Sequence, residues 1–365
     1  MPKNLLFVFG TRPESVKMCP LILTLRRRRD INVRVCVTGQ HRDMCDEVLH
    51  LFGIRPDFDL NIMKKRQMPE YITRCVLTGA GAAIDATCPE MVFVHGDTTT
   101  TFAAALAAFY RGVPIAHVEA GLRTYNMLSP YPEEFNRRAV ALMAAMHLAP
   151  TQRAAENLMR EGVERERVFV TGNTVIDALG YTYRDDYSSP LLDKVGDRRL
   201  ILVTAHRRES RGKPMLRIFE AVKRIAKARD DVFFVCPLHP APEVRQAAEP
   251  LMGCERVHIT PPLGLIDFHN LLARAYMVVS DSGGVQEEAL SCGVPTLVTR
   301  DCTERPEGVE AGGLRLVGSD RDRIYAEVCS LLDDATEYAR MRCRRNPFGD
   351  GHASERIAEI IGKVI

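Results

Sequence analysis

Short apolar runs alternate with helical stretches along almost the whole chain, and this alternation limits the fold more than any other feature. In the first half we predict five strands: Leu5–Phe9, Val33–Thr38, Met91–His95, Pro114–Val118 and Val168–Thr171. A second series predicts six more: Leu200–Thr204, Val232–Cys236, Val257–Ile259, Tyr276–Ser280, Thr296–Thr299 and Leu314–Val317. Strands that alternate with helices form parallel sheets. The sequence therefore predicts an α/β fold in which one parallel architecture occurs twice, with a cleft expected between the two halves.

The chain has 365 residues, which is too many for one ordinary hydrophobic core. A polar stretch from Tyr181 to Arg199 contains a proline and a glycine and is predicted to be the linker. Near the end, Asn346–Gly351 must break any helix. We predict an N-terminal domain of residues 1–178, completed by a returning C-terminal helix at 350–365, and a C-terminal domain of residues 179–349.

Composition excludes several classes of function. The formal net charge is only +2, so a nucleic-acid partner is not expected. No apolar run approaches the roughly 20 residues that span a bilayer. The apolar run at Leu5–Phe9 is too short for a signal peptide, so we expect no membrane partner and a cytoplasmic protein. The cysteines form no Cys-x-x-Cys pair and no metal-binding spacing occurs. We therefore expect no metal. The segment Gly79-Ala80-Gly81 lacks the third glycine of a dinucleotide-binding motif, so we expect no dinucleotide cofactor either.

Acidic residues follow two predicted neighbouring strands in the first half. Asp97 comes after Met91–His95 and Glu119 comes after Pro114–Val118. Ligands bind beyond the carboxyl ends of parallel strands, and two acids at one edge suit proton transfer because burial and repulsion push their pKa values apart. Alternatively, Asp97 caps the following helix and Glu119 pairs with Arg123. A stiff proline-rich loop before Glu133 presents a third acid, or else that acid only favours a helix start.

Candidate anion sites follow other strands. Arg12 and Lys17 flank a strand-to-helix turn, although these residues also suit an ordinary turn with two surface cations. His206 with two neighbouring arginines follows the first strand of the second half. The sharpest signal is Ser282-Gly283-Gly284, where glycines let phosphate approach backbone amides, with Glu288 placed to accept hydrogen bonds from ribose. These residues predict a two-domain protein that binds a nucleoside diphosphate and has carboxylates in its cleft.

Taken together and in order, these segments resemble the non-hydrolysing UDP-N-acetylglucosamine 2-epimerases over essentially the whole chain. In the first half the matching motifs are Phe9-Gly10-Thr11-Arg12-Pro13-Glu14, Thr38-Gly39-Gln40-His41-Arg42, His95-Gly96-Asp97-Thr98-Thr99-Thr100, His117-Val118-Glu119-Ala120-Gly121-Leu122-Arg123 and Thr171-Gly172-Asn173-Thr174-Val175-Ile176-Asp177-Ala178. In the second half they are His206-Arg207-Arg208-Glu209, Asp281-Ser282-Gly283-Gly284-Val285-Gln286-Glu287-Glu288 and Thr303-Glu304-Arg305-Pro306-Glu307. The resemblance implies a GT-B architecture, which is two Rossmann-like domains with parallel sheets facing across a cleft, and it implies a homodimer.

The resemblance also implies an activity and site residues. The reaction is reversible epimerisation at C2 of UDP-N-acetylglucosamine to UDP-N-acetylmannosamine, by elimination and readdition of UDP, for cell-surface polysaccharide precursors. The implied catalytic residues are Asp97, Glu119, Glu133 and His206. The implied UDP-binding residues are Arg12, Lys17, Leu263, Phe268, Ser282, Gly283, Gly284, Glu288 and Arg305. A second, activating substrate site in some relatives matches Gln40, His41, Arg66, Gln67, Arg208 and His239, although Asp43 stands where some of those relatives have glutamine.

Three other functions would use similar residues. A hydrolysing 2-epimerase shares the elimination step but releases free N-acetylmannosamine and UDP. A GT-B glycosyltransferase would use the same UDP pocket with an acceptor groove. A nucleotide-sugar sensor would use the carboxylates only to bind hydroxyl groups. The products formed from UDP-N-acetylglucosamine separate these alternatives from the epimerase.

Overall fold

The computed structural model describes residues 2–205, 207, 210–239, 241–342 and 345–364. The chain packs as two compact units. Unit 1 comprises Met1–Ala178 and Phe348–Ile365, and unit 2 comprises Leu179–Pro347. No helix in the described ranges is long and apolar enough to cross a membrane.

Unit 1 is built on a parallel sheet. Its strands are β1 (Lys3–Phe9), β2 (Ile31–Val37), β3 (Phe58–Asp59), β4 (Met91–His95), β5 (Ile115–Val118), β6 (Met146–Ala149) and β7 (Val168–Val170). Its helices before the boundary are α1 (Arg12–Arg26), α2 (Arg42–Leu51), α3 (Pro69–Thr87), α4 (Thr99–Phe109), α5 (Glu133–Met143), α6 (Gln152–Arg160) and α7 (Thr174–Thr182), the last turn of which belongs to unit 2. Among the described residues the strand order is β3-β2-β1-β4-β5-β6-β7.

The centre of this sheet is covered on both faces, as parallel sheets require. Leu5–Phe9 is fully buried, and Phe7 stacks on Phe93 of the neighbouring strand with ring centroids 4.5 Å apart. The Ala-rich helix α4 packs closely on α3, because small side chains allow the two helices to approach each other. This core fixes the carboxyl ends of β1, β4 and β5, where the candidate site lies.

Unit 2 repeats the architecture. Its strands are β8 (Arg199–Thr204), β9 (Val232–Pro237), β10 (Val257–Thr260), β11 (Met277–Ser280), β12 (Thr296–Val298) and β13 (Leu314–Leu316). Its helices are α8 (Pro190–Val195), α9 (Lys213–Ala228), α10 (Pro242–Ala247), α11 (Leu265–Arg274), α12 (Gly283–Ser291), α13 (Pro306–Glu310), α14 (Arg321–Asp333) and α15 (Ala335–Met341). In the part of unit 2 that the structure describes, the parallel strand order is β10-β9-β8-β11-β12-β13, which is the Rossmann order.

The chain ends with α16 (Ala353–Val364), which packs against α1 in unit 1. The carboxylate of Asp177 accepts hydrogen bonds from the backbone amides of Ser354, at 2.7 Å, and Ala353, at 3.2 Å. Arg28 donates to the carbonyl of Ala358 at 2.9 Å. These contacts attach the last helix to unit 1 at both its start and its middle.

The predictions of secondary structure are confirmed for all of the strands proposed from the sequence and miss two others. Strand β6 begins at Met146, only three residues after α5 ends at Met143, so no clear break separates the two in the sequence. Strand β3 has only two residues, which is too short for a periodic signal. The predicted linker from Tyr181 to Arg199 contains helix α8, whose first amides are capped by Ser189.

Candidate active site

The two sheets each have a point where the strand order reverses, between β1 and β4 in unit 1 and between β8 and β11 in unit 2. Helices leave the sheet in opposite directions there, which opens a crevice at the carboxyl ends of the strands. Four of the motifs found in the sequence follow these four strands, and Glu119 follows the neighbouring strand β5. Each unit therefore has its own candidate ligand-binding edge.

The turn after β1 in unit 1 is held by a reciprocal cap. Thr11 accepts from the amide of Glu14 at 3.5 Å, and the Glu14 carboxylate accepts from the amides of Thr11, at 2.8 Å, and Gly10, at 3.0 Å. A Cβ at Gly10 would lie 1.7 Å from Oγ1 of Thr38, so only glycine fits this turn. The cap places Arg12 at the first position of α1.

Glu14 also connects this turn to the turn after β4. Its second carboxylate oxygen accepts from the hydroxyls of Thr98, at 2.7 Å, and Thr101, at 2.9 Å. The side chain is buried, and burial raises its pKa even though these hydrogen bonds act in the opposite direction. A single buried carboxylate thus fixes the two loops that flank the reversal point of unit 1.

Glu119 lies at the end of β5 within a polar cluster. Its carboxylate forms an ion pair with the ammonium of Lys17, and both side chains are 7% exposed. Asn173 donates its side-chain amide to the same oxygen at 2.6 Å, and Nε2 of His95 lies 3.9 Å away. Glu119 also has a φ of +61°, a left-handed conformation that costs about 1–3 kcal/mol for a residue with a side chain. Such strain at a buried carboxylate is typical of a functional position.

Asp97 lies at the same edge of the sheet. Strands β4 and β5 pair in parallel with His95 opposite Val118, so the residues after them emerge side by side. The Asp97 carboxylate accepts from Nη2 of Arg137 at 2.5 Å, and its backbone carbonyl accepts from Asn136 at 2.9 Å. Both donors lie on α5. Since the Asp97 side chain is 27% exposed, it remains reachable from solvent.

The structural alternatives for these two acids are wrong. The N-cap of α4 is Thr98, which accepts from the amide of Thr101 at 3.0 Å, so Asp97 is not the cap. Arg123 pairs with Glu161 at 2.7 Å instead of Glu119. Asp97 pairs with Arg137 and Glu119 pairs with Lys17 instead.

The third predicted acid, Glu133, is half-buried and is the first residue of α5. Its neighbour Glu134 is fully buried and accepts from the amides of Thr124, at 3.0 Å, and Tyr125, at 3.1 Å. Glu134 therefore holds the preceding loop in place. The same helix supplies the arginine that binds Asp97, which connects the position of Glu133 with that of Asp97.

His117 supports the turn after β4 from inside the sheet. Its Nε2 lies 2.7 Å from the carbonyl of Gly96 and must donate, because a carbonyl oxygen only accepts. The imidazole is fully buried, and burial lowers its pKa to about 3. A neutral histidine thus fixes the residue that precedes Asp97.

Four of the residues matched to an activating site lie in two loops near the end of β2. The side-chain carbonyl of Gln40 accepts from the Thr100 hydroxyl at 2.8 Å, and its backbone carbonyl accepts from Gln67 at 2.9 Å. His41 and Arg66 are exposed beside them. His239 follows β9 in unit 2 and is exposed, with Nδ1 accepting from the amide of Ala241 at 3.2 Å.

In unit 2, the turn after β11 leads directly into α12. Ser282 is the N-cap of this helix, and its side chain does not cap the first turn. A Cβ at Gly283 would lie 2.4 Å from Nη1 of Arg305, so the guanidinium approaches the backbone at the helix start. Gly284 follows at the second position. The amino end of a helix with an adjacent arginine is suited to bind phosphate.

Arg305 is part of a buried network of charges. It binds Glu287 at 2.5 Å and Glu304 at 2.7 Å, and Glu304 also binds Arg300 at 2.8 Å. Arg207 reaches Glu304 at 3.1 Å. This network fixes the guanidinium groups beside the start of α12, as a preorganised anion site requires.

Glu288, predicted to bind ribose, lies on α12 and is 8% exposed. Its carboxylate is 3.6 Å from Nε2 of His269, whose Nδ1 is 2.6 Å from the Thr182 hydroxyl. Leu263 and Phe268 are half-buried and pack against the hydrophobic cluster beside α11 and α12. Two further predicted residues, His206 and Arg208, lie outside the described residues.

Several residues of the candidate site were missed by sequence reasoning. Arg137 and Asn136 were not singled out, because no pattern in the sequence shows that α5 lies beside the turn that contains Asp97. Asn173 was noticed only as part of a motif, although it binds Glu119 directly. Lys17 was predicted to bind UDP, and the structure places it against Glu119. In the described ranges, no group of three or more His, Cys, Asp and Glu side chains is arranged as a metal site.

Comparison with known proteins gives consistent matches over the whole chain. The family model for UDP-N-acetylglucosamine 2-epimerase matches residues 23–362. A Bacillus subtilis UDP-N-acetylglucosamine 2-epimerase is 53% identical over 353 residues, which cover 96% of this chain and 93% of the relative.

Solved structures match equally well. The S. aureus MnaA–UDP co-structure has a TM-score of 0.95 at 47% identity, covering 99% of this chain and 96% of that one. The Neisseria meningitidis UDP-GlcNAc 2-epimerase bound to UDP-GlcNAc has a TM-score of 0.94 at 43% identity, covering 99% of this chain and 100% of that one. The fold is thus a GT-B type with two Rossmann-like units. On this evidence the chain belongs to the UDP-N-acetylglucosamine 2-epimerase family.

Proposed function

We propose that this chain interconverts UDP-N-acetylglucosamine and UDP-N-acetylmannosamine by eliminating UDP and adding it back. The observation that carries this proposal is the pair of carboxylates, Asp97 and Glu119, at one sheet edge, each beside a cation. Family members that are 43–47% identical have been solved with UDP or UDP-GlcNAc bound, which supports the same substrate here.

The chemistry explains why such a pair is needed. C2 of the sugar has an acetamido group and no adjacent carbonyl, so its hydrogen is only weakly acidic. In the elimination, a carboxylate takes the C2 proton, a C1–C2 double bond forms, and the C1–O bond breaks with its electron pair leaving on UDP. In the return step, a UDP oxygen bonds to C1 and a proton reaches C2 from the opposite face. A correctly positioned base contributes about 10²–10⁴ in rate.

We propose that Asp97, Glu119 and Glu133 share the proton transfers, with His206 as a further catalytic residue. The ammonium of Lys17 lies against the Glu119 carboxylate, the group that we propose accepts the proton. Asn173 orients the same carboxylate. Arg137 gives Asp97 a similar partner. Lys17 thereby acts first on a catalytic acid, and its predicted contact with UDP is secondary.

We propose that unit 2 binds most of UDP. The diphosphate meets the start of α12 at Ser282, Gly283 and Gly284, together with Arg305, whose guanidinium is already fixed by two carboxylates. Glu288 accepts from the ribose hydroxyls. The remaining predicted contacts are Leu263 and Phe268 at the uracil and Arg12 at the diphosphate. Fixed positive charge at the leaving group stabilises it as the C1–O bond breaks, and one such contact contributes about 10²–10³ in rate.

We propose the non-hydrolysing type of reaction and a second, activating substrate site. Gln40, His41, Arg66 and Gln67 form part of it, and their loops are joined by the hydrogen bond from Gln67 to the Gln40 carbonyl. Arg208 and His239 complete the set matched to that site. Activation by substrate would appear as a rate that rises more steeply than hyperbolically with substrate concentration.

We also propose that the enzyme is a homodimer that uses the outer face of α4 and α5. Three large apolar side chains are exposed there: Phe109 at 54%, Phe135 at 46% and Leu142 at 86%. Apolar groups concentrated on one face are typical of an interface. Light scattering should show that Leu142→Glu is a monomer, while Met252→Glu, a matched change at an exposed site in unit 2, remains a dimer. A dimeric Leu142→Glu would contradict this choice of interface.

The cytoplasm is the proposed location, where precursors of cell-surface polysaccharide would be supplied. All ten described cysteines are free thiols, and free thiols are typical of a reducing compartment.

The reaction is tested by incubating the chain with UDP-N-acetylglucosamine in heavy water and following C2 by NMR. We expect UDP-N-acetylmannosamine with solvent deuterium at C2. Free N-acetylmannosamine as the main product would instead show the hydrolysing reaction. Product formed without deuterium, or no reaction at all, would contradict elimination and readdition.

A further inference from the structure

A polar cavity lies in unit 2, away from the candidate nucleotide residues. Its volume is about 430 Å³, and it is lined by residues at the amino-terminal ends of β8 and β11. Four arginines line it, namely Arg198, Arg199, Arg274 and Arg342, and none of its lining residues is acidic. A cleft lined by one sign of charge attracts ions of the opposite sign.

Arg274 is fixed in this cavity by carbonyl oxygens, and no carboxylate among the described residues pairs with it. One of its terminal nitrogens donates to the backbone carbonyls of Arg184, at 2.8 Å, and Asp185, at 2.9 Å, and the other donates to the carbonyl of Asn270 at 3.2 Å. Carbonyl oxygens hold the guanidinium in place but do not neutralise its charge. Arg274 is therefore a preorganised cation.

Arg198 and Arg342 are less constrained. Arg198 donates to the Val195 carbonyl at 3.4 Å, and Arg342 donates to the Gly293 carbonyl at 3.3 Å. Both are exposed, and in the described part of the chain neither forms an ion pair. Arg199 differs, because it is paired with Asp231. Three of the four guanidinium groups thus have positive charge without an acidic partner in the ranges that the structure describes.

Two tyrosines form a rigid wall of the same cavity. The rings of Tyr276 and Tyr338 stack with centroids 4.0 Å apart and planes 12° from parallel. The Tyr338 hydroxyl donates to the carbonyl of Tyr276 at 2.9 Å, and the Tyr276 hydroxyl donates to the carbonyl of Leu331 at 3.1 Å. The guanidinium carbon of Arg199 lies 5.0 Å from the Tyr276 ring centroid. This wall keeps the cavity open and its shape defined.

We propose that this cavity binds a small phosphorylated anion, of the size of pyrophosphate or a nucleoside diphosphate. Arginine forks match phosphate oxygens in geometry and charge. The volume falls within the range of about 300–1,000 Å³ for small-molecule sites. A small anion is favoured over a macromolecular polyanion, because the four arginines line one cavity of about 430 Å³.

This site is separate from the proposed UDP site. Strand β8 has six residues, so its two ends are about 17 Å apart at about 3.3 Å per residue. The cavity lies at its start, whereas Arg207 follows its end. The same two strands, β8 and β11, connect the cavity to the loops proposed to bind the diphosphate. Anion binding here does not depend on the proposed epimerase reaction.

The test uses isothermal titration of pyrophosphate into the full chain after saturation with UDP. We expect one further anion to bind per chain. The double variant Arg198→Ala/Arg342→Ala should weaken this binding by at least about tenfold, because each lost charge-assisted hydrogen bond contributes about that much. The matched control is Arg217→Ala/Arg245→Ala, which removes the same charge from exposed helix positions outside the cavity. It should bind as the wild type does.

Two results would overturn the proposal. One is the absence of further binding to the UDP-saturated wild type. The other is equal weakening in both double variants, which would mean that pyrophosphate responds only to overall charge. Loss in Arg198→Ala/Arg342→Ala alone, with an unchanged circular dichroism spectrum, supports the site. Because UDP occupies its own site throughout, a failed epimerase assay would leave this result unaffected.

Discussion

His117 is fully buried in β5 and donates to the Gly96 carbonyl at 2.7 Å, so unit 1 needs it neutral. Burial lowers its pKa from 6.5 to about 3. Because the folded pKa lies below the unfolded value, His117 contributes stability that is present above pH 6.5 and is lost as the pH falls towards 3. At pH 5.0 the unfolded chain gains a proton that the folded chain cannot bind. The free energy of unfolding therefore falls by about 1.36 kcal/mol for each of the roughly 1.5 pH units between 6.5 and 5.0, or by about 2 kcal/mol in total.

The informative variant is His117→Gln. Its side-chain amide can still donate to the Gly96 carbonyl, but it cannot take up a proton. The wild type should lose about 2 kcal/mol more stability between pH 7.5 and pH 5.0 than this variant does. The control is His50→Gln, the same replacement at an exposed histidine of α2, outside the sheet. That variant should keep the pH dependence of the wild type.

The chain has no tryptophan, so we suggest urea unfolding followed by hydrogen-exchange mass spectrometry. Peptides from residues 1–178 then report unit 1 separately from unit 2, which matters because two units need not unfold together. If wild type and His117→Gln lose the same free energy of unfolding between the two pH values, the assignment of a neutral, buried His117 is wrong.

Single contacts of Glu14, Gly283 and Asp177 can each be tested by one substitution. Burial raises the pKa of Glu14 above 4.5, so the wild type should lose stability relative to Glu14→Gln as the pH rises from 4 to neutrality. Urea unfolding measures this difference. A change of the opposite sign would refute the prediction. Gly283→Ala should weaken UDP binding about tenfold in calorimetry, because the added Cβ would displace Arg305. Gly180→Ala, where the added Cβ meets open space, should bind UDP as the wild type does. Equal affinities of the two variants would exclude the contact of Arg305 with the diphosphate. Asp177→Ala should lower the free energy of unfolding by about 2 kcal/mol, because two amides of α16 lose their acceptor. Hydrogen exchange of residues 353–364 should become faster. Unchanged exchange would argue against this cap.

Much of the fold was accessible from the sequence because buried parallel strands form short apolar runs between helices. The strands of unit 2 illustrate this, since each predicted run overlaps an observed strand. Strand β6, Met-His-Leu-Ala, was missed because it has no β-branched residue and directly follows a helix. The sequence also predicted that the loops with Asp97 and Glu119 lie at one edge of the sheet, because neighbouring parallel strands end at the same edge.

The contacts within the candidate site could not be predicted in the same way. Lys17 and Glu119 are separated by 102 positions, and no local pattern shows that they pair. In the sequence, Glu14 is only an acidic residue after the first strand. That it also accepts hydrogen bonds from Thr98 and Thr101 depends on the pairing of β1 with β4, which no local pattern shows. Arg123 was the nearest cation to Glu119 in sequence but pairs with Glu161. Charge partners are selected by packing in three dimensions, and sequence proximity is a poor guide to them.

The central claim is that the carboxylate held by Lys17 and Asn173 moves the hydrogen at C2. The most direct measurement is the rate at which deuterium enters C2 of UDP-N-acetylglucosamine in heavy water, compared between wild type, Glu119→Gln and Glu161→Gln. Glu161 is also an ion-paired acid of unit 1, but its partner is Arg123. We predict that Glu119→Gln slows incorporation by about 10²–10⁴ while Glu161→Gln stays close to wild type. A folded Glu119→Gln that incorporates deuterium as fast as wild type would contradict the account.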